Sequence, residues 1–222
     1  MKIHDVQQGT AAWLELRAGI PTASELDNLN SPTGEIRTGG MPRSYVALKL
    51  AEQWTGAPIV TFSGGAMEQG TIKEDEAVPY FSLTLDVDIQ RVGFCTTDDG
   101  AFGCSPDGLT PGSGIEIKCP LPHTHCLWLL GGVCPKDHLL QVHGAMFVTG
   151  ADRWTFASYC RGFPPLVVVV ERCPATMKKI GEVVARVTRE VAAGMHLLTS
   201  LNGGPPRRAP VPAPREQPDH NF

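Results

Sequence analysis

Two carboxylates and an amine lie close together in the segment 105–120, which reads Ser-Pro-Asp-Gly-Leu-Thr-Pro-Gly-Ser-Gly-Ile-Glu-Ile-Lys-Cys-Pro. The Pro-Gly pair at 111–112 is a turn signal, and a loop centred there places Asp107 opposite Glu116 on two paired strands. Facing residues of such a pair have Cβ atoms ~4.5–5.5 Å apart. Because side chains alternate along a strand, Glu116 shares a face with Lys118, and the neighbouring isoleucines point the other way, into a core.

This arrangement predicts a site for a divalent cation. Two facing carboxylates repel each other, and a bound cation converts that repulsion into coordination. Oxygen ligands suit Mg²⁺, which usually takes few protein carboxylates, and Lys118 would orient or deprotonate an attacking water. The alternative is an Asp in a turn, followed by a strand with an exposed Glu116 and Lys118. From these residues alone, both interpretations stay open.

The surrounding residues narrow the choice. Asp107 followed by Glu116-Ile117-Lys118 has the layout of the PD-(D/E)xK nuclease core. The Ser-Pro-Asp-Gly-Leu and Ile-Glu-Ile-Lys-Cys-Pro runs resemble the phage lambda exonuclease and the wider YqaJ-like viral recombinase family. Other blocks that resemble this family occur in its order, from about residue 7 to about residue 195. They are Trp13–Ser24, Met67–Ala77, Thr124–Leu130, Gln141-Val142 and Met146–Gly150.

The resemblance implies a fold and a set of metal ligands. The fold is an α/β domain with a central mixed β-sheet flanked by helices, as in restriction endonucleases. The expected metal is Mg²⁺, bound as two ions, and we expect Mn²⁺ to substitute for it. The implied metal ligands are Asp107, Glu116, the backbone carbonyl of Ile117, and Glu74, which stands in a Gly-x-x-x-Glu-x-x-Ala motif on a predicted helix.

The resemblance also places Gln141 beside the scissile phosphate. This chain has His143 where the family often has a second Gln, so the role of that neighbour is left open. Without the resemblance, Gln141 would be interpreted as a polar residue near a helix start.

A second set of residues points to phosphate. Thr22 and Glu25 fit a capping box that opens a short helix, and a helix N-terminus with Arg17 beside it favours an anion. Simple capping by Thr22, with Arg17 on the surface, is the alternative. The resemblance implies that Arg17 and Ser24 bind a terminal 5′-phosphate, and we group Thr22 with them.

Together these residues and the family resemblance predict a Mg²⁺-dependent 5′-to-3′ exonuclease. The resemblance implies that it degrades one strand of linear double-stranded DNA to mononucleotides, leaving 3′ overhangs for phage-type homologous recombination. It also implies a homo-oligomer in the form of a trimeric ring and a single-strand annealing protein as partner. Two alternatives remain: an endonuclease of the same superfamily, of the restriction or junction-cleaving kind, and a non-catalytic scaffold that binds DNA ends.

Composition bounds these interpretations. The net charge of −4 argues mildly against nucleic-acid binding. No apolar run is long enough for a bilayer and the start lacks a signal peptide, so we expect a cytoplasmic protein of a bacterial host, encoded by a phage or prophage. Seven cysteines are an odd number, which disfavours disulfides. Cysteines and histidines cluster without a common zinc spacing: Cys119, His123, His125, Cys126, Cys134 and His138.

Periodicity and turn residues predict one nuclease domain over 1–201 and a Pro-rich, disordered tail over 202–222. Predicted helices cover 22–30, 43–54, 66–81, 123–130, 139–148 and 175–198. Predicted strands besides the hairpin cover 89–94, 101–104, 153–160 and 166–172, and 31–42 is a predicted loop. The apolar run Val167–Val170 predicts a strand covered on both faces. The four tryptophans are expected in the core.

Overall fold

The strands are divided between two sheets. The structure is a computed structural model that describes residues 1–29, 37, 40–59 and 66–206, without the side chains of 40–41 and 66–75. Its strands are β1 (Lys2–His4), β2 (Phe94–Thr96), β3 (Gly103–Cys104), β4 (Gly108–Thr110), β5 (Ser113–Lys118), β6 (Arg153–Ser158) and β7 (Leu166–Glu171). A three-stranded antiparallel sheet has the order β1-β2-β3, and a four-stranded sheet has the order β4-β5-β6-β7. The second sheet is mixed, because β5 and β6 are parallel.

Helices cover both faces of the mixed sheet. They are α1 (Ala11–Arg17), a 3₁₀ helix (Ala23–Asn28), α2 (Gly40–Thr55), α3 (Ala66–Leu85), α4 (Pro122–Gly131), α5 (Lys136–Thr149) and α6 (Pro174–Asn202). On one face, Ile115 and Ile117 of β5 pack against Phe81 of α3. On the other face, Trp154 and Phe156 of β6 belong to a core shared with α5 and α6. This confirms the predicted α/β class with a mixed sheet between helices.

The predicted helices are present, with ends that shift by a few residues. The exception in type is the segment after Thr22, which forms a 3₁₀ helix rather than an α-helix. The predicted loop over 31–42 lies mostly outside the described residues. Helix α6 extends to Asn202, the first residue of the predicted tail, and residues 207–222 are not described. Among the described helices, none has the length and apolar character that crossing a membrane requires.

The hairpin that carries the predicted acids forms in the predicted register. Strands β4 and β5 pair Gly108 with Ile115 and Thr110 with Ser113, which leaves a two-residue turn at 111–112. Gly112 has φ +71, a conformation that an L side chain rarely adopts. Continued by one residue, the same register sets Asp107 opposite Glu116.

The strand predicted over 89–94 is wrong in its extent, and the reason is a bend. Gln90 pairs with Leu109 of the mixed sheet through two backbone bonds of 2.8 Å, whereas Phe94 begins β2 of the other sheet. Between them the chain bends at Gly93, where a Cβ would lie 1.7 Å from the carbonyl oxygen of Val6. The segment therefore links two sheets instead of extending one.

The prediction of a fully covered strand at Val167–Val170 is also wrong. Strand β7 lies at the edge of the mixed sheet, and Val167 and Val169 are 37% and 54% exposed. Leu166 and Val170 on its other face are buried. An apolar run does not distinguish a central strand from an edge strand, because the position in the sheet depends on distant pairing.

Gly114 allows the hairpin to lie directly on the core. A Cβ at this position would lie 2.3 Å from the Trp154 ring. We expect Gly114→Ala to lower the free energy of unfolding by about 2 kcal/mol, because overpacking a core costs roughly 1–3 kcal/mol. Urea unfolding measures this. Gly131→Ala is the matched control, since no atom lies within 4 Å of its added Cβ; equal losses in the two variants would contradict the close contact.

Candidate active site

A cavity of about 220 Å³ opens where the hairpin meets α1, the 3₁₀ helix and α5. It is small and lined by both charged and aromatic groups. Most of the predicted site residues lie on its wall: Asp107, Glu116, Lys118, Gln141, Arg17 and Ser24. The acidic hairpin and the predicted phosphate-binding residues, which are far apart in sequence, therefore face one space.

The two acids are held together through the backbone of the hairpin. Asp107 Oδ2 accepts a 2.6 Å hydrogen bond from the backbone N–H of Ile117. Glu116 is only 3% exposed, although it is charged, and it lies on the face opposite the buried Ile117 side chain. The peptide between the two acids thus sets their relative position.

Two donors converge on one oxygen of Glu116. Lys118 Nζ and Gln141 Nε2 each lie 2.6 Å from Glu116 Oε1. Lys118 reaches it because it lies two residues further along the same strand. Gln141 reaches it from α5, which packs on that face of the sheet. Both contacts stabilise the ionised carboxylate in its buried position.

Arg17 ends α1 and lines the same cavity as the acids of the hairpin. Its guanidinium stacks on the Trp13 ring, 4.2 Å from the ring centre, and donates to Ser105 Oγ (2.9 Å) and to Thr22 Oγ1 (3.3 Å). Burial lowers the pKa of Arg17, and the nearby Glu25 opposes that shift. Arginine stays charged in proteins, so a fixed cation lines this wall.

Ser105 is a site residue to which the sequence interpretation gave no role. Its Oγ accepts from Arg17 and, at 3.0 Å, from Trp13 Nε1. With both donors facing its lone pairs, the hydroxyl hydrogen is available to a group in the cavity, which Ser105 lines. The sequence signal that could have pointed to Ser105 is its position two residues before Asp107. Trp13, expected in the core, is half-buried and lines the same cavity.

Gln8 is a second residue that the sequence interpretation missed. Its Nε2 donates to the carbonyls of Val92 and Pro106, both at 2.9 Å, and so fixes the residue before Asp107. It also lines a larger adjoining cavity of about 540 Å³, which shares Gln8 and Asp107 with the smaller one. No sequence spacing marks it, because its partners lie about ninety residues away.

Thr22 lies beneath the cavity rather than on its wall. It is 1% exposed, and its hydroxyl donates to Glu25 Oε2 at 2.7 Å. That single hydrogen cannot also be donated to a phosphate. The Glu25 carboxylate also accepts the Thr22 N–H at 3.2 Å and occupies the helix N-terminus itself. The helix end is therefore already occupied, and the groups that face the cavity here are the side chains of Arg17 and Ser24.

The predicted third acid, Glu74, lies in α3, but its side chain is outside the described residues. Two residues later, Glu76 accepts from Tyr159 Oη (2.7 Å) and from Arg161 Nη2 (2.7 Å) at the end of β6. Ala77 is fully buried against the sheet. These contacts fix the part of α3 that follows Glu74 against the strand next to Glu116.

The cysteines and histidines do not form a metal site in the described part of the chain. There, no group of three or more His, Cys, Asp or Glu side chains is arranged so that it could hold a metal ion, and all seven cysteines are free thiols. The His125 ring bonds to Ser158 Oγ (2.7 Å) and to the carbonyl of Pro164 (2.9 Å). His138 stacks on Phe156. These two histidines serve packing between α4, α5 and β6.

A family model decides the identity of the chain. The model of the YqaJ-like viral recombinase domain matches residues 12–152, which is more than half of the chain. The chain belongs to this family. The match includes the hairpin, Arg17, Ser24 and Gln141. No curated protein sequence matches the chain.

Solved structures agree with this membership. LHK-Exo, an alkaline exonuclease from Laribacter hongkongensis, is 26% identical, with a TM-score of 0.77 over 87% of this chain and 98% of its own. A second crystal structure of LHK-Exo contains dAMP. A phage-related exonuclease from Haemophilus somnus 129PT is 14% identical, with a TM-score of 0.60 over 82% of this chain and 96% of its own, and it shows the fold alone.

His138 gives the packing around Gln141 a pH dependence. Burial lowers the pKa of His138 to about 4, with Lys118 contributing. Between the unfolded value of about 6.5 and 4, the unfolded chain binds a proton that the folded chain does not. Stability therefore falls as the pH falls through this window. We expect His138→Phe to gain in Tm relative to wild type at pH 5 and to gain less at pH 8.

Thermal unfolding at both pH values measures this difference. His196→Phe, at an exposed position on α6, is the control and should follow the wild-type pH dependence. His143, whose pKa burial also lowers, is present in all three proteins and cancels in the comparison. Parallel curves for His138→Phe and wild type would contradict the assignment.

Proposed function

We propose that this member of the family is a Mg²⁺-dependent exonuclease that degrades one strand of linear double-stranded DNA from its 5′ end. One observation carries the proposal: a single cavity of about 220 Å³ is lined both by a pair of acids with a lysine and by a stacked arginine with two serines. The acids and the lysine suit hydrolysis of a phosphodiester. The arginine and the serines suit a terminal phosphate.

The described residues fit a hard divalent cation. Asp107, Glu116 and the carbonyl of Ile117 offer only oxygen, the ligand that Mg²⁺ prefers, and Glu74 would complete the set from α3. Glu116 is buried and cannot turn toward solvent, so its carboxylate oxygens are already in position before an ion binds. A bound divalent ion supplies Lewis acidity toward the scissile phosphate and a site for the hydrolytic water. We propose two ions, with Mn²⁺ able to replace Mg²⁺.

The side chains around the acids have separate tasks in this proposal. Lys118, ion-paired with Glu116, would hold the attacking water as an ammonium. As a general base it would first release its own proton to solvent and then accept the proton of that water. Gln141 shares the same carboxylate oxygen and orients the water or the scissile phosphate. Because both bond to Glu116, a shift of that carboxylate would displace both.

The arginine and the serines of the cavity would set direction and product. Arg17 and Ser24 hold the terminal 5′-phosphate, Ser105 adds a hydroxyl, and Thr22 supports Arg17 from beneath. With the terminal phosphate held there and the next phosphodiester at the acids of the same cavity, each cycle would release one nucleotide. The dAMP in LHK-Exo is a mononucleotide of the expected kind.

Further parts of the proposal rest on the family resemblance. They are a nuclease domain over 1–201 with a C-terminal tail, a trimeric ring around DNA, a single-strand annealing protein as partner, and a place in the cytoplasm of a bacterial host. The 3′ overhang left by digestion would be the substrate of that partner.

The polarity has a direct test on linear duplex DNA with Mg²⁺, each strand labelled in turn. We expect 5′-phosphorylated ends to be degraded faster than 5′-hydroxyl ends, because only the former bond to Arg17 and Ser24. The labelled products should be mononucleotides from the 5′ strand. Covalently closed circular DNA is the control. Cleavage of the circle would establish an endonuclease instead, and binding of ends without any product would establish a scaffold.

The chemistry has its test in two substitutions. Lys118→Met should lower kcat by about 10²–10⁴-fold, the usual loss of a proton-transfer group. Glu116→Gln keeps the shape but removes the charge, so both turnover and Mn²⁺ binding, followed by electron paramagnetic resonance, should be lost. Lys178→Met and Glu182→Gln change exposed residues of α6 and serve as matched controls. Full Mn²⁺ binding in Glu116→Gln would remove Glu116 from the ligand set.

A further inference from the structure

Lys49 of α2 is a buried lysine that the proposed chemistry does not use. It is 3% exposed, and lysines are almost never buried without partners. Its Nζ lies 2.9 Å from Glu25 Oε1 and 3.1 Å from Glu52 Oε2. Glu52 is itself 6% exposed. A buried ion triad of this kind costs desolvation free energy, so it does not by itself favour stability.

The triad bonds at two points to the segment that follows Arg17. Glu52 Oε2 accepts the backbone N–H of Gly19 at 3.0 Å, just after Arg17. The Thr22 hydroxyl donates to Glu25 Oε2 at 2.7 Å. The same hydroxyl oxygen, Thr22 Oγ1, accepts a hydrogen bond from Arg17 Nη2. A continuous chain of hydrogen bonds thus connects Lys49 to the guanidinium on the cavity wall.

The charges of the triad act on the same guanidinium. Two carboxylates and one ammonium leave a net charge of −1 behind Arg17. Without Lys49 the charge would be −2, in a buried region where screening by salt is weak. Arg17 would then be attracted more strongly toward Glu25 and away from a phosphate in the cavity. Lys49 therefore adjusts how much of the Arg17 charge is available to a ligand.

We propose that Lys49, through Glu25 and Glu52, is a positioning residue that sets how strongly the site prefers a 5′-phosphorylated DNA end over a 5′-hydroxyl end. This rests on the proposed function, in which Arg17 and Ser24 bind the terminal phosphate. Lys49 does not line the cavity, and it acts by offsetting the negative charge behind Arg17.

The test measures kcat and KM for linear duplexes with 5′-phosphate and with 5′-hydroxyl ends, and compares the ratio of the two kcat/KM values. Lys49→Met keeps the length of the side chain and removes its charge. We expect it to lower the ratio about tenfold, mainly through KM for the phosphorylated end, as for the loss of a unit charge in a partly screened interior. Lys178→Met on α6 is the matched control and should leave the ratio at the wild-type value.

Glu52→Gln distinguishes an electrostatic role of the triad from a purely structural one. Like Lys49→Met, it breaks an ion pair of the triad. Unlike Lys49→Met, it removes a negative charge from behind Arg17. The proposal requires a ratio at or above that of wild type, whereas a purely structural role predicts a lower ratio in both variants. A lowered ratio in folded Glu52→Gln would overturn it, and this variant keeps the test valid if Lys49→Met does not fold, as judged by circular dichroism.

The two levels of inference fail in different ways. A wild-type enzyme that degrades both ends equally would contradict the phosphate role of Arg17 and Ser24, and with it the proposed function. A wild-type enzyme that prefers the phosphorylated end, together with folded Lys49→Met that shows the same preference, would contradict the role of Lys49 alone.

Discussion

The site depends on keeping the carboxylate of Glu116 ionised while it is almost fully buried. Removing such a group from water costs several kcal/mol, even after the protein relaxes. The contacts at 2.6 Å from Lys118 and Gln141 offset that cost, and they come from different elements. The alternation of β5 brings Lys118 to the correct face, and the packing of α5 brings Gln141. The packing of β5 and α5 is therefore what lets this buried carboxylate stay ionised.

A short piece of chain connects the acids to Arg17. Ser105, which bonds to Arg17, and Asp107, which bonds to the peptide of Ile117, are two residues apart. Pro106 lies between them, and its carbonyl accepts from Gln8 at 2.9 Å. The position of Arg17 relative to the acids is therefore set within one segment of the chain.

What the sequence could and could not predict follows from the range of the interactions. The hairpin register and the face shared by Glu116 and Lys118 were predictable, because a Pro-Gly turn and a period of two are local. The burial of Glu116 was not, because it depends on α5. The same holds for Thr22, whose place beneath the cavity is set by Arg17 on one side and Glu25 on the other.

Lys49 shows where a local signal existed but was not used. It lies three and four residues after Val46 and Tyr45, on the apolar face of α2 that packs against α6. A lysine at such a position must have a buried partner, and Glu52 lies one turn further on. The second partner, Glu25, is on another element and is not visible in the spacing. The edge position of β7 could not be predicted either, because a central strand can carry the same apolar run.

The negative net charge of the chain argues only mildly against a nucleic-acid partner, because distant charges act weakly at the cavity. Exposed charges more than ~8–10 Å from a phosphate are largely screened at physiological salt, so the net charge of −4 acts weakly at the cavity. Partly buried charges are screened much less. The cavity holds Arg17 and Lys118 beside Asp107 and Glu116, so these four side chains balance one another. A divalent cation held by the two acids would leave the cavity positive, and that local charge would suit a phosphate whatever the net charge of the chain.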